Sequence, residues 1–299
     1  MSPTVVTLIQ ILIPASVFVI MICVGTSLTL VDFRRLLVYP KAAITGIVGQ
    51  LLLLPAMGFL VAWTMTDDLV TRIGIVLLSA CPGGQLSNTF VYLARANPNL
   101  SVTLTAVNGV LALVTTPTIA TLGIRLFAGE DADINLPVLK TVAQIFVLAI
   151  LPIGIGMGIR ARFPQSAVRR QPQANLVAFL LLIFHMSLVI FTNIGRIQDS
   201  LGDMLLPAAL FALAAMSIGY TIAALMRFDS DTRFTIGIEV GLQNVVLAVL
   251  ISQVLMQRPE FSLFVLTYAM VIPLAMLPWV YIHRRRWSFS TLKRGLGLA

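Results

Sequence analysis

Charged residues are scarce in this chain of 299 residues: Asp, Glu, Lys and Arg make up 11% of it, whereas hydrophobic residues make up 58%. The mean hydropathy of +0.97 is far above that of a soluble domain. A helix needs about 20 apolar residues to cross a hydrocarbon core about 30 Å thick. The sequence therefore predicts an all-α polytopic membrane protein without a separate soluble domain. Nine transmembrane spans are expected, at about 5–29, 41–63, 70–93, 100–124, 137–160, 174–195, 204–226, 232–256 and 260–282.

Residue types that commonly carry enzymatic chemistry are also few. The chain has two cysteines and two histidines, and the motifs H-E-x-x-H, G-x-S-x-G and Walker A do not occur. Cys23 and Cys81 lie in different spans without metal-ligand spacing, so we interpret them as small apolar residues. Because no nucleophile–base pair or metal cluster is evident in the sequence, we do not expect an enzyme.

The excess of basic residues, which gives a net charge of +8, is distributed unevenly along the chain. Cytoplasmic loops of membrane proteins are rich in Lys and Arg. With the N-terminus outside, 15 of the 20 basic residues fall in inward-facing segments: Arg34, Arg35, Lys41, Arg95, Arg160, Arg162, Arg169, Arg170, Arg227, Arg233, Arg284, Arg285, Arg286, Lys293 and Arg294. We therefore predict an external N-terminus and a cytoplasmic C-terminus. The basic charge indicates membrane topology rather than a nucleic-acid partner.

Two of the predicted spans are interrupted by residues that break helices. The third contains "CPGGQLSN" at 81–88, and the eighth contains "GIEVGLQN" at 237–244. Spans one to four and six to nine would run in opposite directions, so the two interruptions occupy corresponding positions of an inverted repeat, with the fifth span unpaired. Paired interruptions of this kind indicate the binding site of a secondary transporter. Taken singly, each could also be a kink or a site of close helix packing.

Glu239 is the only acidic residue deep within a predicted span. A carboxyl group at the bilayer centre costs about 2.5–3.5 kcal/mol on insertion scales, and such groups usually mark ion or substrate paths. By itself, Glu239 could be a proton carrier, a cation ligand or a protonated group hydrogen-bonded between helices. Oxygen-bearing side chains in the interrupted spans and their neighbours favour a hard cation: Gln50, Gln85, Ser87, Asn88, Ser101, Thr105, Gln243 and Asn244.

At these residues the chain resembles the family of bile acid:sodium symporters. The stretches "CPGGQLSNTFVYLARANPNLSVTLTAV" and "IEVGLQNVVLAV" resemble that family's motifs over the third, fourth and eighth spans. The resemblance extends from about residue 20 to 280. It implies a core domain, where two unwound helices cross at mid-membrane, and a flatter panel domain. The panel would contain 5–29, 137–160 and 174–195, and the core 41–63, 70–93, 100–124, 204–226, 232–256 and 260–282. It also implies a bacterial member without the additional N-terminal helix of some relatives.

The resemblance further implies two sodium ions at the crossing. Matched residue by residue, one ion would be bound by Ser87, Asn88, Ser101, Thr105 and Glu239. The other would be bound by Gln50, Glu239, Gln243 and the backbone carbonyls of Val240 and Leu242. A single shared carboxylate leaves the two-ion site with a net positive charge, which suits an anionic substrate.

We predict that Gln85, Leu86 and Asn244 face the substrate. Tyr268 on the ninth span and His185 on the sixth are further candidates. The expected substrate is a small organic anion that is bile-acid-like, a keto acid or pantoate-like.

Together these features predict sodium-coupled symport by alternating access. Two alternatives stay open: a proton-coupled or uncoupled exporter that uses Glu239 alone, and a membrane sensor that binds a ligand without transporting it. The expected location is the bacterial inner membrane, with the lipid bilayer and the substrate as partners and a monomer as the default state. We interpret "HRRRW" at 283–287 as a topology anchor, with a regulatory lipid site as the alternative.

Overall fold

The structure is a computed structural model that describes residues 3–129, 138–192 and 194–295, except for the side chains of 3–11, 85, 138, 185, 186, 189, 192, 196–200 and 286–295. In these ranges the regular structure is helical. The α-helices are α1 (Pro3–Gly25), α2 (Leu30–Arg34), α3 (Pro40–Val48), α4 (Leu54–Met65), α5 (Leu69–Ala80), α6 (Gln85–Ala94), α7 (Pro98–Ala128), α8 (Val138–Ile145), α9 (Leu151–Arg162), α10 (Pro164–Thr192), α11 (Ile194–Leu225), α12 (Ser230–Gly241), α13 (Val245–Leu250) and α14 (Ser262–Gly295).

Several helical segments are long and apolar enough to cross a bilayer. In the part of the chain that the structure describes, five meet this criterion: Pro40–Met65, Pro98–Ala128, Leu139–Arg162, Leu201–Leu225 and Pro259–Arg285. A sixth becomes possible if Leu12–Gly25 and Leu30–Leu37, which meet at a bend of 68°, form one span. The prediction of nine spans therefore stays a prediction, as do its division into core and panel and the inverted repeat.

Helix lengths differ from the predicted spans at several ends. α11 begins at Ile194, ten residues before the predicted start of its span at 204, and α14 continues to Gly295, beyond the predicted end at 282. Hydropathy detects only the part of a helix that can contact lipid, whereas a helix can continue with polar residues outside the hydrocarbon core. The hydropathy pattern therefore does not predict these additional helical turns.

Two π-helical turns interrupt long helices immediately before a Leu-Pro pair. Gly49–Leu53 precedes Leu54-Pro55, and Phe146–Ile150 precedes Leu151-Pro152. Proline has no backbone N–H, so the carbonyl four residues earlier loses its usual helical partner and the turn before the proline widens. The first of these turns contains Gln50, one of the predicted ion ligands.

Close helix packing depends on glycine at several contacts. α1 packs against α9 and α10, and α11 packs against α12 and α14. A Cβ atom on Gly25 would lie 2.2 Å from the carbonyl oxygen of Ile153, and one on Gly156 would lie 2.3 Å from that of Ile22. Small residues allow such backbone contact between helices in membranes, where packing drives association.

Large apolar side chains occupy both the interior and the outer surface. Leu77, Phe211 and Phe264 are fully buried, whereas Leu274 is 71% exposed and Trp63 63% exposed. A soluble monomer rarely exposes large contiguous apolar patches. The surface is that of an integral membrane protein, and the polar site described next lies inside it.

Candidate functional site

The third and eighth predicted spans are each broken into two helices, and the two breaks contact one another directly. α5 ends at Ala80 and α6 begins at Gln85, whereas α12 ends at Gly241 and α13 begins at Val245. The Gly84 N–H donates to the Leu242 carbonyl at 3.0 Å, and the Asn244 N–H donates to the Pro82 carbonyl at 2.8 Å. These two bonds satisfy backbone groups that the helices leave unpaired, which is a requirement inside a membrane.

Glycine allows a close approach where the breaks meet. A Cβ atom on Gly83 would lie 3.0 Å from Oε2 of Glu239, and one on Gly84 would lie 3.0 Å from the carbonyl oxygen of Gln243. A side chain at either position would require the neighbouring atoms to move by a few tenths of an ångström. The two breaks can therefore approach closely enough to bring Glu239 beside the start of α6.

The Glu239 side chain is buried, with 1% of the residue exposed, and is surrounded by hydroxyl groups. Ser87 Oγ donates to Oε1 at 2.6 Å, Thr105 Oγ1 donates to Oε2 at 3.0 Å, and Ser101 Oγ also contacts Oε1. Hydroxyl groups of two helices, α6 and α7, thus converge on the carboxylate that α12 carries. Ser87, Ser101 and Thr105, which the family resemblance assigns to the first ion, all lie around Glu239.

Each of these hydroxyl groups also lies near a second acceptor. Ser87 Oγ is 2.7 Å from the Gly84 carbonyl oxygen, Ser101 Oγ is 2.7 Å from Oδ1 of Asn88, and Thr105 Oγ1 is 3.4 Å from the same Oδ1. A hydroxyl group has one proton to donate. The three hydroxyls therefore cannot satisfy two acceptors each, and oxygen lone pairs outnumber protons. An oxygen cluster with too few protons suits a cation.

Gln50 and Gln243 form a second buried polar group beside the first. Gln50 Nε2 donates to the Cys81 carbonyl at 3.0 Å and to Oε1 of Gln243 at 2.8 Å, and Gln243 Nε2 donates to the Val240 carbonyl at 2.6 Å. Gln50 Oε1 is buried and has no hydrogen-bond partner among the described residues. An unpaired buried acceptor costs about 1–3 kcal/mol, so this oxygen is available for a ligand.

Four predicted ligands of the second ion thus lie close together: Gln50, Gln243 and the backbone carbonyl groups of Val240 and Leu242. The Leu242 carbonyl accepts the Gly84 N–H, and the Val240 carbonyl accepts the Gln243 amide. A carbonyl oxygen has two lone pairs, so these hydrogen bonds leave one for another contact.

The residues predicted to face the substrate have different surroundings. Leu86 is 48% exposed at the start of α6. Asn244 is half-buried, and its Oδ1 accepts the Leu247 N–H at 3.0 Å at the beginning of α13. The side chains of Gln85 and His185 lie outside the described part of the structure.

Tyr268 is fully buried behind the eighth-span break. Its hydroxyl donates to the Gly241 carbonyl and accepts the Gln243 N–H at 3.4 Å. Its ring packs edge-on against Phe211, with 5.7 Å between ring centroids. In this structure Tyr268 supports the unwound backbone, and its predicted contact with a substrate stays a prediction.

Sequence reasoning missed Asn108 on α7. The residue is 1% exposed, and neither Oδ1 nor Nδ2 has a hydrogen-bond partner in the described ranges. It follows Thr105 by three residues and Ser101 by seven, so all three lie on one helical face. That spacing was visible in the sequence and extends the polar face of α7 by one turn.

The sequence model of the sodium bile acid symporter family matches residues 14–200, which is more than half of the chain. The probable chloroplastic sodium/metabolite cotransporter BASS2 of Oryza sativa subsp. japonica is 31% identical over 238 residues, covering 78% of this chain and 54% of that protein.

Two further relatives come from other kingdoms. The uncharacterized sodium-dependent transporter YocS of Bacillus subtilis (strain 168) is 29% identical over 228 residues, covering 76% of this chain and 68% of YocS. Human sodium/bile acid cotransporter 4 is 28% identical over 283 residues, covering 86% of this chain and 63% of the human protein. The chain thus spans between about half and two thirds of the length of these relatives. With the family model and the relatives in agreement, the chain belongs to the sodium bile acid symporter family.

Proposed function

We propose that this protein is a sodium-coupled symporter of a small organic anion and works by alternating access. The shortage of protons around the Glu239 carboxylate carries the proposal, because a sodium ion would contact oxygen lone pairs that hydrogen bonds leave unused. Sodium prefers such oxygen ligands. The sodium-dependent transporters among the relatives support the same cation.

The oxygen atoms at this site would provide ligands for two sodium ions. Ser87, Asn88, Ser101, Thr105 and Glu239 would bind the first ion. Gln50, Glu239, Gln243 and the carbonyls of Val240 and Leu242 would bind the second. The unpaired Oε1 of Gln50 supports the second site, because rotation of the two amides would let both oxygens face a cation in place of their mutual hydrogen bond.

An anionic substrate follows from the charge at this site. Two sodium ions beside one carboxylate leave a net charge of +1, which would attract a monoanion. The first turns of α6 and α13 begin at the crossing, and helix N-termini favour negative groups. Gln85, Leu86 and Asn244 would line this position, with Tyr268 and His185 as further candidates. Keto acids, pantoate-like acids and bile-acid-like anions are the substrates to test.

A proton-driven exporter is the competing function, because Glu239 is a single buried carboxyl. Protonation would add one donor to the three hydroxyl protons, giving four protons for the six contacts around the carboxylate and its neighbours. Two contacts would still lack a proton, whereas a cation removes the shortage. The oxygen cluster therefore favours sodium.

Thermal unfolding of the purified protein in sodium or potassium at equal ionic strength tests the proposal. We expect sodium to raise the unfolding temperature above the value in potassium, and organic anions to raise it further only when sodium is present. Glu239→Ala and Asn88→Ala should abolish the sodium effect. Asn175→Ala, which changes an exposed asparagine on α10, is the matched control. Full stabilisation by potassium, or an unchanged sodium effect in both site variants, would reject the proposal.

A further inference from the structure

Asn108 on α7 is buried with both of its polar side-chain atoms unpaired. The residue is 1% exposed, and neither Oδ1 nor Nδ2 has a hydrogen-bond partner among the described residues. Burying an unpaired polar group costs about 1–3 kcal/mol, so such groups usually have a water molecule or an ion beside them. The surroundings of Asn108 indicate which ligand it binds.

The Asn108 side chain leaves α7 between two neighbouring helices. Asn108 follows Leu104 by four residues and Thr105 by three, so it lies one turn beyond both and between them around the helix. A Cβ atom on Gly46 of α3 would lie 2.6 Å from Cδ2 of Leu104. Thr105 Oγ1 lies 3.0 Å from Oε2 of Glu239 on α12. Asn108 is therefore directed between α3 and α12, towards the proposed sodium sites.

Gln50 lies at the same depth as Asn108. The chain reverses direction between α4 and α5 and again between α6 and α7, so α3 and α7 run in the same direction. Gln50 follows Gly46 by four residues, as Asn108 follows Leu104, and Gly46 packs against Leu104. The π-helical turn that contains Gln50 also packs against α7. Because Oε1 of Gln50 is likewise buried without a partner in the described ranges, three unpaired polar atoms lie in one layer of the molecule.

The end of α5 borders the same layer. Gln50 Nε2 donates to the Cys81 carbonyl at 3.0 Å, and Thr116 Oγ1 donates to the Ala80 carbonyl at 2.7 Å. Thr116 follows Thr105 by about three helical turns, so the two residues share one face of α7. Asn108 lies between them along that face, and it therefore faces the break between α5 and α6.

A water molecule satisfies all three unpaired atoms. Asn108 Oδ1 and Gln50 Oε1 are acceptors, whereas Asn108 Nδ2 is a donor. A sodium ion would contact the two oxygens but would leave Nδ2 unpaired. Water can donate one proton to each oxygen and accept a hydrogen bond from Nδ2, and buried waters commonly make about three such bonds. The second lone pair of the water stays available for a cation.

We propose that Asn108 and Gln50 hold a buried water molecule whose oxygen is a further ligand of the second sodium ion. Asn108 is then a positioning residue, because it acts on the ion through this water. Gln50 Oε1 has two lone pairs, so it can accept the water proton and still contact the ion. The role of the water as a ligand rests on the proposed sodium coupling, whereas its binding to the two amides does not.

Crystal structures of the unmodified full chain in sodium and in potassium, at a resolution that shows ordered waters, test the water site. In both we expect a water oxygen within hydrogen-bond distance of Oδ1 and Nδ2 of Asn108 and of Oε1 of Gln50. In sodium, the same oxygen should also contact the ion. A cation in direct contact with Asn108 Oδ1, or apolar packing at this position without water, would overturn the proposal.

Asn108→Leu removes both polar atoms and keeps most of the side-chain volume. It should raise the sodium concentration for half-maximal thermal stabilisation about tenfold, an effect typical of residues that orient metal ligands. The unfolding temperature in potassium should stay nearly unchanged, because an apolar side chain of similar size replaces both the amide and its water. Asn108→Ser, whose hydroxyl can donate to the water and accept from it, should bind sodium nearly as well as the unmodified protein.

Thr116→Val is the matched control on the same face of α7. It removes a buried hydrogen bond to the end of α5 but no partner of the water, so it should lower the unfolding temperature in potassium and leave the sodium requirement unchanged. If Asn108→Leu behaved like Thr116→Val, Asn108 would have only a structural role and the proposal would be wrong. Absence of any sodium effect in the unmodified protein would reject the proposed sodium coupling and, with it, the role of the water as a ligand. The structure in potassium would still show whether Asn108 binds water.

Discussion

Thr103 and Thr105 are buried on the same helix but use their hydroxyl groups differently. Thr103 Oγ1 donates to the Asn99 carbonyl at 2.8 Å within α7. Thr105 Oγ1 instead lies 3.0 Å from Oε2 of Glu239 on α12. The pair therefore allows a hydroxyl group at the proposed ion site to be compared with one that only contacts its own helix.

Thr105→Val keeps the shape of the side chain and removes its oxygen. We expect the sodium concentration that gives half of the maximal thermal stabilisation to rise about tenfold, the equivalent of about 1.4 kcal/mol. Thr103→Val should change it by less than about twofold, since only a local hydrogen bond is lost. Titration of the unfolding temperature with sodium measures both variants. Equal shifts in the two variants would argue against an oxygen ligand at Thr105.

At the residue scale, spacing predicts contacts within a helix better than contacts between helices. Ser101 and Thr105 are four residues apart, which predicts one helical face, and the structure places both hydroxyls at the same carboxylate. Ser87 and Glu239 are separated by 152 positions. No local pattern encodes that contact, which came only from resemblance to a family. Asn108 was missed although its spacing from Thr105 was visible.

At the element scale, the sequence marks the breaks and predicts their pairing through the inverted repeat, but neither their limits nor the hydrogen bonds between them can be read from it. Pro82, Gly83 and Gly84 interrupt the third span because they disfavour a continuous helix. The helix resumes at Gln85, so Ser87 and the residues after it are helical rather than unwound. The hydrogen bonds that join the two breaks depend on tertiary packing, which local propensity does not contain.

The π-helical turn around Gln50 could not be predicted from hydropathy either. The segment "GQLLLLP" has the apolar character of an ordinary span. The turn is wider because Pro55 has no backbone N–H to donate. Backbone hydrogen bonding, rather than the polarity of the side chains, determines which residues form the turn. Gln50 in this turn donates a hydrogen bond to Gln243, in the break between α12 and α13.

Gly84→Ala tests the contact between the two breaks. The new Cβ atom would lie 3.0 Å from the Gln243 carbonyl oxygen and 3.4 Å from Cα of Asn244. Because these atoms belong to backbone, we expect a loss of stability of about 1–3 kcal/mol and a weaker sodium effect. The unfolding temperature with and without sodium measures both changes.

Gly109→Ala is the control for that substitution. Gly109 lies in α7, and a Cβ atom there would meet nothing within 4 Å. Alanine should be neutral or stabilise the helix by up to about 1 kcal/mol. If Gly84→Ala were tolerated as well as Gly109→Ala, close approach of the breaks would not be needed for sodium binding.

At the scale of the whole molecule, the distribution of basic residues predicts topology that labelling can test. Asp67 and Arg227 are both exposed and lie in segments predicted to face opposite sides. In a background with Cys23→Ala and Cys81→Ala, a membrane-impermeant maleimide should label Asp67→Cys in right-side-out vesicles. Arg227→Cys should react only after the vesicles are permeabilised. The reverse pattern would place the N-terminus inside.

The number of sodium ions determines whether transport moves net charge. Two sodium ions with one monoanion carry one positive charge inward, whereas one sodium ion with one monoanion carries none. For one charge, a potential of 100 mV, negative inside, contributes about 2.3 kcal/mol, or about fifty-fold in accumulation. We therefore expect the steady-state accumulation of a transported anion in proteoliposomes to rise about fifty-fold when a potassium diffusion potential of about 100 mV is imposed. A sodium dependence with a Hill coefficient between one and two should accompany it.

In Gln50→Leu, which removes a proposed ligand of the second ion alone, any remaining uptake should lose its response to the potential. If uptake by the unmodified protein at saturating sodium did not change with the membrane potential, the two-ion site would be contradicted. A site for a single ion at Glu239 would still be compatible with that result.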